Sequence, residues 1–437
     1  MTDDERDVRT AHDGAGRLRP LLDAVHDTAA EVRARRPDYF EHRPLRLPAE
    51  LLGRYDDDHD RLARLLGDAY DLTVDVVTDP ADCTSVDRLV TARARHAGAA
   101  PDGTGAGAPQ ADDPAAVVRA QHERHLAAER DVARLGAATP LRVGVLGGVL
   151  PYEAAGQREE GEPPIVLVNA LGMGTALWHP LMSALAPTRR VLTWAPRGTA
   201  AGTRPMRVRD QADDLAAVLA AEGARECHLV CWCSGPKTAL EFHRRRPAAV
   251  RSMVFLHGSL RHTGDPAGRD PDTPYERNLE ELCRSVAGRP ALAARLRGLF
   301  TGRPADIAED LDAHRYADEV LALPARALDE ELLRPFSADA VLVAYARQLL
   351  DYWSYDALAH AADVRVPVLC VSAEFDRIAS PERLALATGR FPDARHERLA
   401  GATHYSMYDR PREVARLLEG FLATVGGARS IVSGAAG

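Results

Sequence analysis

The chain has 437 residues, 46% of them hydrophobic and 27% charged, with a formal net charge of -9. It can bury at least one large core, its length suggests two or three units, and its charge argues against a nucleic-acid surface. No apolar run approaches the roughly eighteen residues of a membrane span, and residues 1–9 are acidic and polar rather than leader-like, so a cytoplasmic protein is expected. The six cysteines (Cys83, Cys227, Cys231, Cys233, Cys283 and Cys370) lack the spacing of a disulfide framework, which suits a reducing compartment.

Residues 10–96 read as helices. Leu18, Leu21, Leu22, Val25 and Ala29 recur at helical spacing, a second helix beginning near Pro48 carries Leu51, Leu52, Leu62, Leu65 and Leu66, and a third is expected over 85–96. The stretch 97–112, rich in Ala, Gly, Pro and Asp, reads as a linker. Asp113-Pro114 then offers an N-cap followed by proline, opening a helix to about Leu135. Its His122 and His125 share a face, and His59 sits in an acidic run; all three read as solvated surface rather than metal ligands.

From Leu141 the texture becomes strands alternating with helices, the pattern of a mostly parallel sheet covered on both faces. Strands are expected near 142–150, 152–156, 164–169, 190–195, 227–232, 250–256, 366–372 and 394–399. Helices are expected near 175–186, 207–223, 235–246, 380–390 and 411–424. The interval 258–362 breaks the alternation and reads as a helical cap with a polar first segment, 261–274. The expected organisation is therefore a helical extension over 1–140, a core formed by 141–257 and 363–425, a cap over 258–362, and a disordered tail over 426–437.

The stretch 228–237, His-Leu-Val-Cys-Trp-Cys-Ser-Gly-Pro-Lys, runs from an apolar strand through a turn into a helix. In a nucleophile elbow the reactive side chain sits on such a turn, with very small residues two places either side because the backbone doubles back. Gly235 and Cys231 meet that requirement around Cys233. Ser234 would instead be flanked by Trp232 and Pro236, and an indole there would crowd the turn. The plainer alternatives are that Cys233 is a small buried apolar residue, or that Cys231 and Cys233 bind zinc, for which partner ligands at suitable spacing are missing. Lys237 is the only lysine in the chain. It is expected in solvent, or else beside the thiol as an activating cation.

Active sites of such sheets form beyond the C-terminal strand ends. There the chain places Asn169-Ala170-Leu171-Gly172-Met173-Gly174, then Arg197-Gly198, then Glu374 and Asp376, and finally Gly401-Ala402-Thr403-His404. The elbow, the loop reaching Asp376 and the loop reaching His404, in that order, make residues 141–425 resemble the α/β-hydrolase superfamily. The resemblance implies an α/β-hydrolase fold with an eight-stranded, mostly parallel sheet. It also implies Cys233 as nucleophile, His404 as general base, Asp376 as its orienting partner in preference to Glu374, and the backbone N–H groups of Leu171 and Ser234 as oxyanion hole. A surface histidine and a helix-capping acid are the bland readings of His404 and Asp376.

Several positions depart from the family pattern: cysteine for serine, cysteine for the first glycine, asparagine for the usual histidine before the oxyanion turn, and Pro236-Lys237 after Gly235. With the helical extension, the cysteine elbow is similar to that of the aminoacyltransferases of nonribosomal peptide assembly lines, of the syringomycin and coronatine type. That resemblance implies transfer of an acyl or aminoacyl group between the phosphopantetheine arms of two carrier proteins through a Cys233 thioester, with no bound cofactor or metal. The competing readings are a thioesterase or dienelactone-type hydrolase with the same three residues, and an inactive hydrolase-like binding scaffold. Tyr352-Trp353-Ser354-Tyr355 are expected to line the acyl pocket; the acyl group, carriers and oligomeric state stay open.

Overall fold

The structure, a computed structural model, describes residues 14–98, 114–159, 161–204, 206–263, 272–300, 307–308 and 311–433; most of the expected linker and the last four residues lie outside it. The chain forms two compact units, one of residues 1–131 with 305–327, the other of 132–304 with 328–437. The interval 258–362 thus contributes to both.

In the first unit, the Gly14–Arg35 helix buries Leu18, Leu21, Leu22, Val25 and Ala29, the apolar face its spacing implies. The helix expected from Pro48 is two, Ala49–Leu52 and His59–Tyr70. The break falls where Asp56 accepts from Asp58 N–H and Asp58 caps Arg61 N–H, so the acidic run is turn and cap chemistry. Two short strands, β1 (Leu45–Pro48) and β2 (Val74–Val77), pair in parallel where only helices were expected. His125 is a further correction: it is buried, hydrogen bonds Asp23 at 2.7 Å and stacks on His26 with ring centroids 3.8 Å apart. Residues of the Ala313–Ala322 helix join this unit, Tyr316 stacking on Tyr39 beneath the Arg43 guanidinium.

The second unit holds an eight-stranded sheet: β3 (Leu141–Val145), β4 (Gly148–Ala155), β5 (Ile165–Val168), β6 (Val191–Thr193), β7 (Cys227–Trp232), β8 (Val250–Leu256), β9 (Val368–Ala373) and β10 (Ala394–Leu399), in spatial order β10-β9-β8-β7-β5-β6-β4-β3. The pairs β3–β4 and β4–β6 are antiparallel and the rest parallel. Every residue of β5, β7 and β9 is buried, as strands covered on both faces require. The strand expected over 142–150 is corrected to a hairpin. Its turn uses Gly147 and Gly148, whose φ values of 87° and 145° suit glycine, and Pro151 lies inside β4 rather than between strands. The final helix, Pro411–Ser433, runs beyond the expected end at 424. No helix among the described residues is long and apolar enough to cross a membrane.

Candidate active site

The site sits where β5, β7, β8, β9 and β10 end. After β7, Cys233 adopts φ 53°, a left-handed conformation that costs a non-glycine residue energy and must be held in place by its surroundings. Its N–H donates to the Leu256 carbonyl at 3.2 Å and its carbonyl accepts from Ser259 N–H at 2.6 Å, so the end of β8 fixes both backbone groups. A Cβ on Gly235 would stand 2.4 Å from the Val168 oxygen. That is the close approach behind the small-residue requirement. Cys233 keeps partial exposure while Cys83, Cys227, Cys231, Cys283 and Cys370 are buried, and burial pushes the thiols of those five upward.

The acid and histidine loops meet behind the thiol. His404 Nδ1 lies 2.8 Å from Asp376 Oδ2, and the other carboxylate oxygen accepts from Ile378 and Ala379 N–H, each at 2.9 Å. Burial opposes the charge on Asp376 most strongly, but His404 and these bonds outweigh it and hold the carboxyl below its usual range. Burial likewise opposes protonation of His404. The Asp376 carboxylate, followed by the Cys233 thiol, outweighs it and raises the imidazole. His404 Nε2 is buried and makes no completed hydrogen bond. The Cys233 thiol lies close enough to act on the ring by charge and by hydrogen bonding, short of ideal geometry. Glu374 is turned elsewhere: it accepts from Gly401 N–H at 2.7 Å and braces the histidine loop. Arg410 donates to the Ala400 and Gly401 carbonyls of the same loop.

The oxyanion turn is shaped by Asn169, whose Oδ1 accepts from Ala170 N–H while Nδ2 donates to the Met173 and Gly174 carbonyls. Asparagine thus folds the turn where the family pattern has histidine. Tyr345 and Pro335 of the cap close over Gly172, at whose φ of 81° a Cβ would meet the Tyr345 ring at 3.0 Å. Gly174 N–H donates to Glu331. The Leu171 N–H, expected to point into an open hole, instead donates to Ser234 Oγ at 2.9 Å. Ser234 itself has φ -81° and so does not occupy the strained elbow position.

Lys237 contradicts both of its expected placements. It is 1% exposed, and its Nζ donates to the carbonyls of Arg261, Tyr352 and Tyr355 at 2.6, 2.5 and 2.8 Å. Burial, the leading influence, pushes it down to about 7. Three acceptors call for the three N–H donors that only the ammonium has. The stretch expected to line an acyl pocket serves this clamp instead: Tyr352 and Trp353 are buried, Tyr352 hydroxyl pairs with Thr238, and Tyr355 hydroxyl donates to Glu241.

Three neighbours of the site escaped the sequence reading. Trp232 donates its indole N–H to the His404 carbonyl at 2.8 Å, with its ring 5.2 Å from the imidazole. His257 follows β8 directly, has φ 50°, and lies 2.6 Å from Ser406 Oγ and 5.8 Å, ring to ring, from His404. Burial pushes it down to about 3, so it is a neutral neighbour of the pair. Its place at a strand end was the available signal. Tyr405, edge-on to His404 at 5.4 Å, is the third. Among the described residues no group of three or more His, Cys, Asp or Glu side chains is placed to hold a metal ion.

A thiol on a strained turn, an imidazole beside it and a buried carboxylate behind the imidazole form the geometry of covalent acyl chemistry. The family comparison agrees with the fold: residues 163–411 match the α/β-hydrolase fold family, and the chain belongs to it. Among curated proteins it is similar to a putative carbamate hydrolase RutD of Azorhizobium caulinodans, 24% identical over 267 residues that cover 60% of this chain and 92% of that one. The namesake of Caulobacter vibrioides is 26% identical over 300 residues, covering 64% and 98%. Among solved structures, a thermophilic esterase from Thermogutta terrifontis superposes with a TM-score of 0.49 at 17% identity, over 66% of this chain and 99% of that one. The enol-lactonase of Burkholderia xenovorans gives 0.47 at 21%, over 65% and 100%. The relatives' names point to hydrolase-type enzymes.

Proposed function

We propose that the protein transfers an acyl group through a covalent thioester on Cys233, with His404 as general base and Asp376 as the group that fixes its tautomer. The observation that carries this is the thiol at the φ 53° elbow position, with the Asp376–His404 pair behind it. Attack on an acyl thioester moves the carbonyl π pair onto oxygen as the Cys233 S–C bond forms. Collapse expels the donor thiolate, which takes its proton from His404. Because one thioester replaces another, the acyl group keeps its transfer potential, which suits delivery to a second thiol such as the phosphopantetheine of a carrier protein.

Hydrolysis is the second reading, and the relatives named as carbamate hydrolases favour it. It uses the same three residues with water as acceptor. Intact-protein mass separates the two after mixing with acyl- and aminoacyl-loaded carriers, before and after an unloaded second carrier is added, with Cys233→Ala as control. An adduct that is stable in buffer and moves to the second carrier supports transfer. Decay to free acid regardless of acceptor supports hydrolysis, and no adduct from any donor refutes carrier-borne acyl chemistry and leaves hydrolysis of a small molecule or an inactive scaffold.

A further inference from the structure

Ser234 follows the elbow and occupies the N-cap position of the Gly235–Arg245 helix, yet its hydroxyl makes no capping bond. A serine there ordinarily accepts from the N–H two or three places on. The second place is Pro236, which has no N–H, and the third is Lys237, whose N–H meets the Ser234 carbonyl at 3.2 Å. The hydroxyl turns across the site instead and accepts from Leu171 N–H at 2.9 Å, with both residues buried.

A backbone N–H points in one direction. The atom it now meets therefore stands where the carbonyl oxygen of an acyl group must lie to receive that bond. We infer that the Ser234 hydroxyl is the resident occupant of the oxyanion hole and that acylation of Cys233 requires it to rotate out. The inference rests on the acyl-enzyme reading. In the unliganded enzyme the hydroxyl satisfies a buried donor that would otherwise lack a partner. The bond to Leu171 competes with substrate by the net worth of one hydrogen bond, so removing the hydroxyl raises occupancy of the hole by roughly two- to tenfold.

The test compares wild type, Ser234→Ala and Ser234→Thr as full-length proteins against two thiol probes. A simple aliphatic aldehyde adds to Cys233 to form a hemithioacetal whose oxygen uses the hole; iodoacetamide alkylates the same sulfur at a saturated carbon and does not. The expected result is aldehyde affinity two- to tenfold tighter in Ser234→Ala, wild-type affinity in Ser234→Thr, which keeps the hydroxyl, and equal alkylation rates in all three. A general loosening of the elbow would move the alkylation rate as well, and so overturns the inference. So does aldehyde affinity that is unchanged or weaker in Ser234→Ala; weakening of the order of a hundredfold would mark the hydroxyl as a donor to the oxyanion. Absence of any aldehyde adduct on wild-type Cys233 overturns it too, since no hole would then exist to be occupied. Failure of the acyl-transfer reading looks different: aldehyde adducts form and respond to Ser234, while no carrier-bound acyl group loads Cys233.

Discussion

Lys237→Met tests the buried clamp. The ammonium is pushed from 10.5 down to about 7, chiefly by burial, and donates to three carbonyls. In the unfolded chain the group titrates at about 10.4. Between the two values the unfolded state binds more protons than the folded state, so the contribution of Lys237 to stability rises with pH across that window and is flat below it. From pH 6.5 to 8.5 the rise is about 2 kcal/mol, at about 1.4 kcal/mol per pH unit above the folded value. The difference between variant and wild type at pH 6.5 is the reference. By pH 8.5 the variant loses about 2 kcal/mol more relative to wild type. The four tryptophans of the chain, Trp178, Trp194, Trp232 and Trp353, all lie in the sheet-bearing unit, so urea unfolding followed by their fluorescence reports on that unit alone. Buried thiols and phenols that titrate in the same range are common to both proteins and cancel in the difference. Parallel wild-type and variant stabilities from pH 6.5 to 8.5 would refute the reasoning and mean that the three carbonyls restore the ammonium to its solution value.

Other outcomes follow from the same geometry. A thiol reagent is expected to label one cysteine quickly in the native chain, Cys233, and His404→Ala is expected to slow that labelling at least tenfold, read by mass of the labelled peptide. Asp376→Asn should lower acyl transfer by roughly a hundredfold or more by removing the partner of His404 Nδ1, whereas Glu374→Gln should stay within a few-fold of wild type. Gly235→Ala should lower the midpoint of the tryptophan-reported transition strongly or prevent folding, because the new methyl meets the Val168 carbonyl at 2.4 Å.

The strand order along the chain and the elbow were legible because they rest on local rules: continuous apolar runs for β5, β7 and β9, and small residues at 231 and 235 where the backbone closes on itself. The gathering of Asp376 and His404 was legible through a family pattern rather than through spacing, since 28 residues separate them. What could not be read was the destination of side chains. An isolated lysine reads as solvent-exposed from base rates, and three carbonyls from distant segments are visible only once the cap has folded. His125 misled for the same reason, its partner Asp23 lying 102 residues earlier. The gap between the strands expected over 142–150 and 152–156 is filled by Pro151, which a strand tolerates there because β4 pairs with β6 only over Glu153–Ala155, so residue 151 owes no bond on that side.

The cap is fastened at several separate places to the turns that form the site. Lys237 ties both the leading segment, through Arg261, and the trailing segment, through Tyr352 and Tyr355, to the helix that presents Cys233. Glu331 holds Gly174 of the oxyanion turn, and the fully buried Gln348 donates to the Arg197 carbonyl after β6 while accepting from Met206 N–H. A cap swinging as one body would break all of these together, so access to the thiol has to come through smaller movements between the fastenings. Transfer and hydrolysis differ only in whether water reaches the acyl enzyme. Under the proposed transfer, a cap fixed over the buried imidazole would suit an acceptor that arrives on a long, thin arm.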